Sequence, residues 1–151
     1  NYYNAGTVEF ILSPDGSFYF LEVNARLQVE HPITEEVTGL DLVKLQIEIA
    51  QGQKLLYNHK NISQKGHAIE CRICAEDPDN NFFPATGTIL KWKATPLSGV
   101  RYDSGVDNNS AVDIYYDSML AKVIVKADTR DEAIQKMSAA LHKLVILGVT
   151  T

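Results

Sequence analysis

Basic residues are in short supply: 14 Lys and Arg stand against 19 Asp and Glu, a formal charge of −5. A nucleic-acid surface needs clustered cations to neutralise phosphates, so DNA or RNA binding is excluded as the main task. Cysteine is scarcer still. Cys71 and Cys74 are too few for the disulfide framework of a secreted domain, and a reducing compartment is expected, the cytoplasm or, in a eukaryote, the mitochondrial matrix. The sequence has no run of about 18 apolar residues, the length a membrane span needs. Its start, Asn1-Tyr2-Tyr3-Asn4, has neither the basic end nor the apolar stretch of a signal peptide. Internal repeats and low-complexity tracts are missing too, and no membrane partner is expected. What is there is a chain of 151 residues, 45% hydrophobic, enough to bury one sizeable core or two small ones. It lacks an initial Met and stops at Gly148-Val149-Thr150-Thr151, just past an expected helix, so a fragment of something longer is expected.

Two segments rich in β-branched and aromatic residues, 7–12 and 17–23, flank Ser13-Pro14-Asp15-Gly16. Pro presets φ at the second turn position and Gly closes the turn, which predicts a tight hairpin. Pairing Ser13 with Gly16 would set Thr7 opposite Glu22 and Glu9 opposite Phe20, with both glutamates on one face. A helix is predicted over 40–50 from Leu42, Leu45 and Ile49, capped by Asp41 and stopped by Gly52. Residues 55–65 are polar and aperiodic, the best candidate boundary. Beyond it, strands are predicted near 67–75, 86–93, 98–103, 111–115 and 119–126, then a helix near 130–146. That helix opens with a Thr129/Glu132 capping box, and its apolar stripe of Ile134, Met137, Leu141 and Leu144 reads as core.

The chemistry gathers after Val23. Polar residues recur at every second position, and in extended chain this lines Glu22, Asn24, Arg26, Gln28 and Glu30 along one side. A solvated outer face usually carries Lys, Thr and Ser. This row has acids, an amide and an Arg instead, and convergent ionisable groups of that kind mark sites. Magnesium binds through one or two carboxylates plus nucleotide phosphates, which Glu9, Glu22 and the Asn24 amide could serve. Arg26 adds the fork of N–H donors that an anionic acceptor needs beside the metal. The C-x-x-C pair sits in a predicted strand, where that spacing puts the sulfurs on opposite faces. With no second ligand pair, packing is the better reading.

The run Glu22-Val23-Asn24-Ala25-Arg26-Leu27-Gln28-Val29-Glu30-His31-Pro32 resembles the E-x-N-x-R-x-Q-V-E-H-P signature of biotin carboxylases. These are the ATP-grasp components of acetyl-, propionyl- and methylcrotonyl-CoA carboxylases and of pyruvate carboxylase. Segments 6–10, 66–72, 75–78 and 115–119 extend the resemblance over nearly the whole chain. The fold it implies is α+β: the C-terminal part of an ATP-grasp domain, hairpin plus helix, over 1–62, then a truncated, mainly antiparallel-β biotin carboxylase C-terminal domain with a packing helix over 63–151.

The resemblance also implies roles. Glu9 and Glu22, with Asn24 assisting, would coordinate the Mg2+ or Mn2+ ions that bridge the ATP phosphates. Arg26, Gln28 and the backbone of Val29 would hold bicarbonate, and Glu30 would be the base that deprotonates it to give carboxyphosphate. Arg72 would stabilise the enolate formed on carrier-bound biotin, with Asp117 near the biotin ring or orienting Arg72. The plain alternative for Arg72 is an ion pair with Glu70 or Glu76. His31 reads as well as a packed, hydrogen-bonded residue as a chemical one, and His59 and His142 as surface residues. Expected partners are a biotin carboxyl carrier domain and a carboxyltransferase, with a homodimer in the full-length protein. Ala25 departs from the family's usual Thr, and the family's upstream glycine-rich lid and phosphate-gripping lysines do not precede Asn1. Rival readings are another ATP-grasp ligase of the carbamoyl phosphate synthetase kind, which shares E-x-N-x-R, and a non-catalytic assembly module.

Overall fold

The computed structural model describes residues 2–58 and 60–151; His59 lies outside the described residues. The chain divides into two compact units, Asn1–Gln64 and Lys65–Thr151.

The first unit starts as a hairpin of β1 (Thr7–Leu12) and β2 (Phe18–Asn24). Its turn is a residue longer than expected. Gly16 N–H donates to the Ser13 carbonyl at 3.0 Å, while Ser13 N–H donates to Ser17 at 2.8 Å. Ser13 therefore faces Ser17 across a three-residue loop, with Gly16 at φ 86, a left-handed position that glycine fills without strain. A second shift follows between Glu9 and Phe10, where Leu21 is the extra residue of a β-bulge. Both shifts overturn the predicted register: Glu9 stands opposite Glu22 and Thr7 opposite Asn24. Phe10 packs edge-to-face on Phe18 and Phe20, with ring centres 5.6 and 6.2 Å apart.

Two helices complete the unit, α1 (His31–Thr38) and α2 (Leu42–Ala50). Pro32 in the first turn of α1 is preset for the helix and is the one fully buried side chain among the described residues of this unit. Gly39 ends α1 in a left-handed conformation and donates to Glu35 O. The Glu35 carboxylate accepts from Leu42 N at 2.8 Å, tying the helices together. Asp41 caps α2 by accepting from Lys44 N at 2.8 Å, as its position before the apolar repeat predicted.

The second unit holds β3 (His67–Cys74), β4 (Glu76–Asp77), β5 (Phe83–Pro84), β6 (Gly87–Thr88), β7 (Lys91–Lys93), β8 (Val100–Ser104), β9 (Ala111–Val112), β10 (Met119–Ala127), α3 (Arg130–Lys143) and β11 (Val145–Leu147). Its main sheet is antiparallel in the order β3-β10-β8. β4 pairs with β5, β6 with β9 and β7 with β11. The strand expected over 86–93 breaks at Ile89, which is fully buried and turns inward between β6 and β7. β9 stops early because the Asp113 carboxylate accepts from Tyr115 N at 3.0 Å, folding the chain into a turn.

Two cores result. Val123, Val125, Ala133, Met137 and Ala140 form one, between the sheet and α3; Ala75, Ile89 and Leu120 form the other. β10 supplies both, because a bulge between Met119 and Ala121 leaves Leu120 unpaired in its ladder.

α3 opens with the predicted capping box: Thr129 accepts from Glu132 N at 3.3 Å and Glu132 accepts from Thr129 N at 3.2 Å. It ends at Lys143 rather than 146, since Leu144 is extended and the next three residues pair with β7. The predicted stripe is corrected as well. The buried positions are Ala133, Met137 and Ala140, with Leu144 packed beside them, whereas Ile134 is 46% exposed and Leu141 37%. Small residues let the helix approach the sheet closely. Among the described residues, no helix is long and apolar enough to cross a membrane.

This stripe predicts unequal costs of truncation. Met137→Ala should destabilise the second unit by about 2–4 kcal/mol, and Ile134→Ala by less than about 1 kcal/mol. Urea titration followed by circular dichroism reads both.

Candidate functional site

Two carboxylates opposed on neighbouring strands repel, and in this hairpin an amide stands between them. Asn24 Nδ2 donates to Glu9 Oε1 at 2.8 Å and to Glu22 Oε1 at 2.9 Å. Gln28 Nε2 donates to the same Glu9 oxygen at 3.0 Å. On the far side, Arg26 Nη1 donates to Gln28 Oε1 at 2.7 Å and Nη2 to Asn24 Oδ1 at 3.2 Å. Glu9, Asn24, Arg26 and Gln28 thus close a ring, with Glu22 attached through Asn24. A carboxylate only accepts and a guanidinium only donates, so each amide has one chemically sensible orientation.

The predicted extended row is corrected here. Strand β2 ends at Asn24, and Arg26 N–H turns back to the Asn24 carbonyl at 2.9 Å. The chain turns again at Val29 and Glu30 into α1. Gln28 O accepts from His31 N at 3.2 Å and from the His31 ring Nδ1 at 2.8 Å. A carbonyl cannot donate, so in this bond the proton is on Nδ1, and the ring is tied to the turn that precedes α1. The turns bring Glu30 round to the side of Arg26. Thr7, Arg26, Gln28, Glu30, His31 and Thr34 line one cavity of about 350 Å³. The convergence expected of Glu22, Asn24, Arg26, Gln28 and Glu30 is therefore reached by folding rather than by strand alternation.

The ring suits a divalent cation at its acidic end. Two carboxylate oxygens converge on a single N–H2 group, at 2.8 and 2.9 Å, so a cation that took the place of that donor would meet both. Hard oxygens from one or two carboxylates are what Mg2+ takes from a protein when phosphates complete its shell. Asn24 Oδ1 faces Arg26, so its amide would have to turn over to become a third ligand. Among the described residues, no cluster of three or more His, Cys, Asp or Glu could hold a metal alone.

A second group lies in the second unit. Arg72 is exposed on β3, across from Lys122 of β10. Lys122 is held by Asp103 at 3.7 Å, and Arg101 pairs with that carboxylate through Nε and Nη2 at 2.7 and 2.8 Å. Asp117 is exposed and accepts from Met119 N at 2.8 Å. Arg72 and Asp117 both act on the Cys74 thiol, the first lowering its pKa and the second raising it. Cys71 and Cys74 are free thiols; Cys71 packs against the core of β10 and α3. Sequence reasoning offered Glu76 only as an ion-pair partner for Arg72 and assigned no role to Ser118, although both lie in segments that carried the resemblance. Ser118 Oγ–H donates to Glu76 Oε1 at 2.6 Å.

Residues 70–151 match the family described as biotin carboxylase C-terminal domain. Residues 1–58 match the carbamoyl-phosphate synthase L chain, ATP binding domain. Biotin carboxylase 2 of Bacillus subtilis is 52% identical over 99% of this chain, which covers 34% of that protein. The biotin carboxylase of Nostoc sp. is 49% identical, over 100% of this chain and 34% of the relative. Among solved structures, the biotin carboxylase domain dimer of Hydrogenobacter thermophilus 2-oxoglutarate carboxylase, in complex with MgADP, ADP and bicarbonate, superposes with a TM-score of 0.94. It is 44% identical, over 98% of this chain and 33% of that one. The chain spans about a third of the length of the relatives it matches.

The thiols give a pH test. Burial, then the Glu70 carboxylate, raises the Cys71 pKa; burial, then Glu76, raises that of Cys74. Less thiolate exists in the folded chain at a given pH, so iodoacetamide at about pH 8.5, near the ordinary thiol pKa, should alkylate both several-fold more slowly than in the urea-unfolded chain. Because the folded-state values are the higher ones, stability due to these thiols is complete below the ordinary thiol range. It falls as pH rises through the folded values. Mass spectrometry of time-quenched samples reads the rates.

Proposed function

The chain belongs to the biotin carboxylase family, whose C-terminal domain its second unit matches, and on that premise we propose that it is part of an enzyme that carboxylates carrier-bound biotin using ATP and bicarbonate. The observation that carries the reading is the ring of Glu9, Asn24, Arg26 and Gln28 beside the cavity that Glu30 lines. In this assignment residues 1–62 are the C-terminal part of an ATP-grasp domain and 63–151 most of the biotin-facing domain.

Glu9 and Glu22, with Asn24 assisting, hold a divalent ion, Mg2+ or Mn2+. When bound, the ion neutralises charge on the nucleotide phosphates. Arg26 and Gln28, with the backbone of Val29, hold bicarbonate. The guanidinium matches a planar oxyanion through paired N–H donors, and the Gln28 amide fixes its plane by accepting from Nη1. Glu30 takes the bicarbonate proton, the freed oxygen attacks the γ-phosphorus of ATP, and ADP leaves as carboxyphosphate forms. Carboxyphosphate breaks down to carbon dioxide and phosphate. The phosphate accepts the ureido N–H proton of biotin, and that nitrogen bonds to carbon dioxide. Arg72, with Asp117 close by, faces the negative charge that grows on the ureido oxygen. A fixed cation there favours the transition state over the ground state.

A carbamoyl-phosphate synthase-like ligase is favoured only by the match of the first unit. The match of the second unit, and relatives that run through both, support the carboxylase. Partners in this reading are a biotin carboxyl carrier domain, a carboxyltransferase and a second copy of the full-length protein. The setting is the cytoplasm or, in a eukaryote, the mitochondrial matrix.

Two outcomes are expected. In the full-length protein, Glu30→Gln should lower bicarbonate-dependent ADP release by roughly 10²–10⁴-fold, the usual weight of a general base, while nucleotide binding by calorimetry persists. Unchanged ADP release would falsify the role of Glu30. Residues 1–151 alone should show no bicarbonate-dependent ATP cleavage, because half a nucleotide site cannot position the phosphates; turnover by the fragment would overturn that assignment.

A further inference from the structure

Arg72 and Asp117 share a difficulty: both side chains are exposed, and exposed charges hold each other weakly, with entropy and solvent screening against them. Their relative placement therefore depends on what fixes the backbone beneath them. The strand ladder fixes Arg72, through the pairing of Arg72 with Lys122 and of Cys74 with Met119. Asp117 lies before the start of β10, in a loop whose neighbours Tyr115 and Tyr116 are 83% and 84% exposed.

One residue pins that loop. Ser118 is half-buried and engages the segment after β3 twice. Its carbonyl accepts from Ala75 N–H at 2.8 Å, and its hydroxyl donates to Glu76 Oε1 at 2.6 Å. The second bond is short, as hydrogen bonds to a carboxylate are, and stronger than one between neutral groups. Ala75 is fully buried in the second core, so the anchor on that side is rigid. The Ala75 bond and the adjacent Met119–Cys74 pairing anchor the backbone on the strand side of Ser118; the Glu76 bond adds a side-chain tie that restrains the orientation of Ser118, and with it the direction in which Asp117 leaves the backbone. Asp117 in turn accepts from Met119 N, closing the turn over Ser118.

We propose that the Ser118–Glu76 hydrogen bond is a positioning clasp that holds the turn carrying Asp117 against the segment after β3 and so sets the affinity of this edge for biotin. The proposal rests on the carboxylase reading, and neither clasp residue touches the reacting atoms.

The test uses the full-length carboxylase with free biotin, bicarbonate and MgATP. Ser118→Ala should raise the KM for biotin roughly tenfold, the factor that corresponds to about 1.4 kcal/mol. The KM for MgATP and the ADP release seen with bicarbonate but no biotin should stay at wild-type values. Ser118→Thr keeps the hydroxyl and should restore the biotin KM. Glu76→Ala should match Ser118→Ala, and the double variant should be no worse than either alone, because one interaction is lost in all three. Should Ser118→Ala fail to fold, Glu76→Ala carries the same reading. An unchanged biotin KM, or a rise shared equally by MgATP, overturns the clasp. Absence of biotin-dependent ADP release from the wild type sinks the carboxylase reading instead, which keeps the two failures apart.

Discussion

The first unit depends on an alternation of hydrogen-bonding character: carboxylate, amide, guanidinium, amide, and carboxylate again. Glu9 and Glu22 face each other across the hairpin, an arrangement of like charges that ordinarily destabilises a strand pair. Asn24 offers one donor to each carboxylate, and the oxygen this leaves pointing outward meets Arg26. Gln28 repeats the pattern one step along. With no cation between the carboxylates, neither amide can be reversed without setting donor against donor or acceptor against acceptor. The local geometry that permits this is the bulge at Leu21, which carries Glu22 to the position opposite Glu9.

The second unit solves a different problem, how one sheet serves a core and a charged face at once. β10 alternates Val123 and Val125, inward against α3, with Lys122, which meets Asp103. Arg72 and Glu70 stand on the neighbouring strand at the positions that pair with Lys122 and Ile124. Cations and carboxylates thus interleave across the three strands, and Asp103 answers both Lys122 and Arg101.

Much of this was legible in the residues. Pro14 and Gly16 marked the hairpin, Asp41 the start of α2, and Thr129 with Glu132 the start of α3, because each acts through neighbours only a few positions away. Legibility failed where the deciding partner was distant. Hairpin register turned on a three-residue loop and on Leu21, neither of which alternation reveals. The row from Glu22 to Glu30 looked like continuous strand, yet Arg26 bonds back to Asn24 and the following residues turn into the helix that Pro32 starts. The α3 stripe was misread because apolar bulk suggested Ile134 and Leu141, while the close approach of helix to sheet selected Ala133 and Ala140. Strand β11 was taken for helix because its partner, Trp92 in β7, lies far earlier in the chain. The gathering of Glu9, Asn24, Arg26 and Gln28 was legible all the same, since residue types state their chemistry even when the backbone path is mistaken.

The bulge in β10 has one further consequence. Leu120 enters one core and Val123 and Val125 the other, while Lys122 must still meet Asp103, so every one of these obligations hangs on the spacing between neighbouring residues. Replacing any one of these side chains disturbs one obligation. Inserting or deleting a single residue after Leu120 would turn valines outward and Lys122 inward along the whole strand. Evolution can therefore revise the spelling of this strand far more freely than its length.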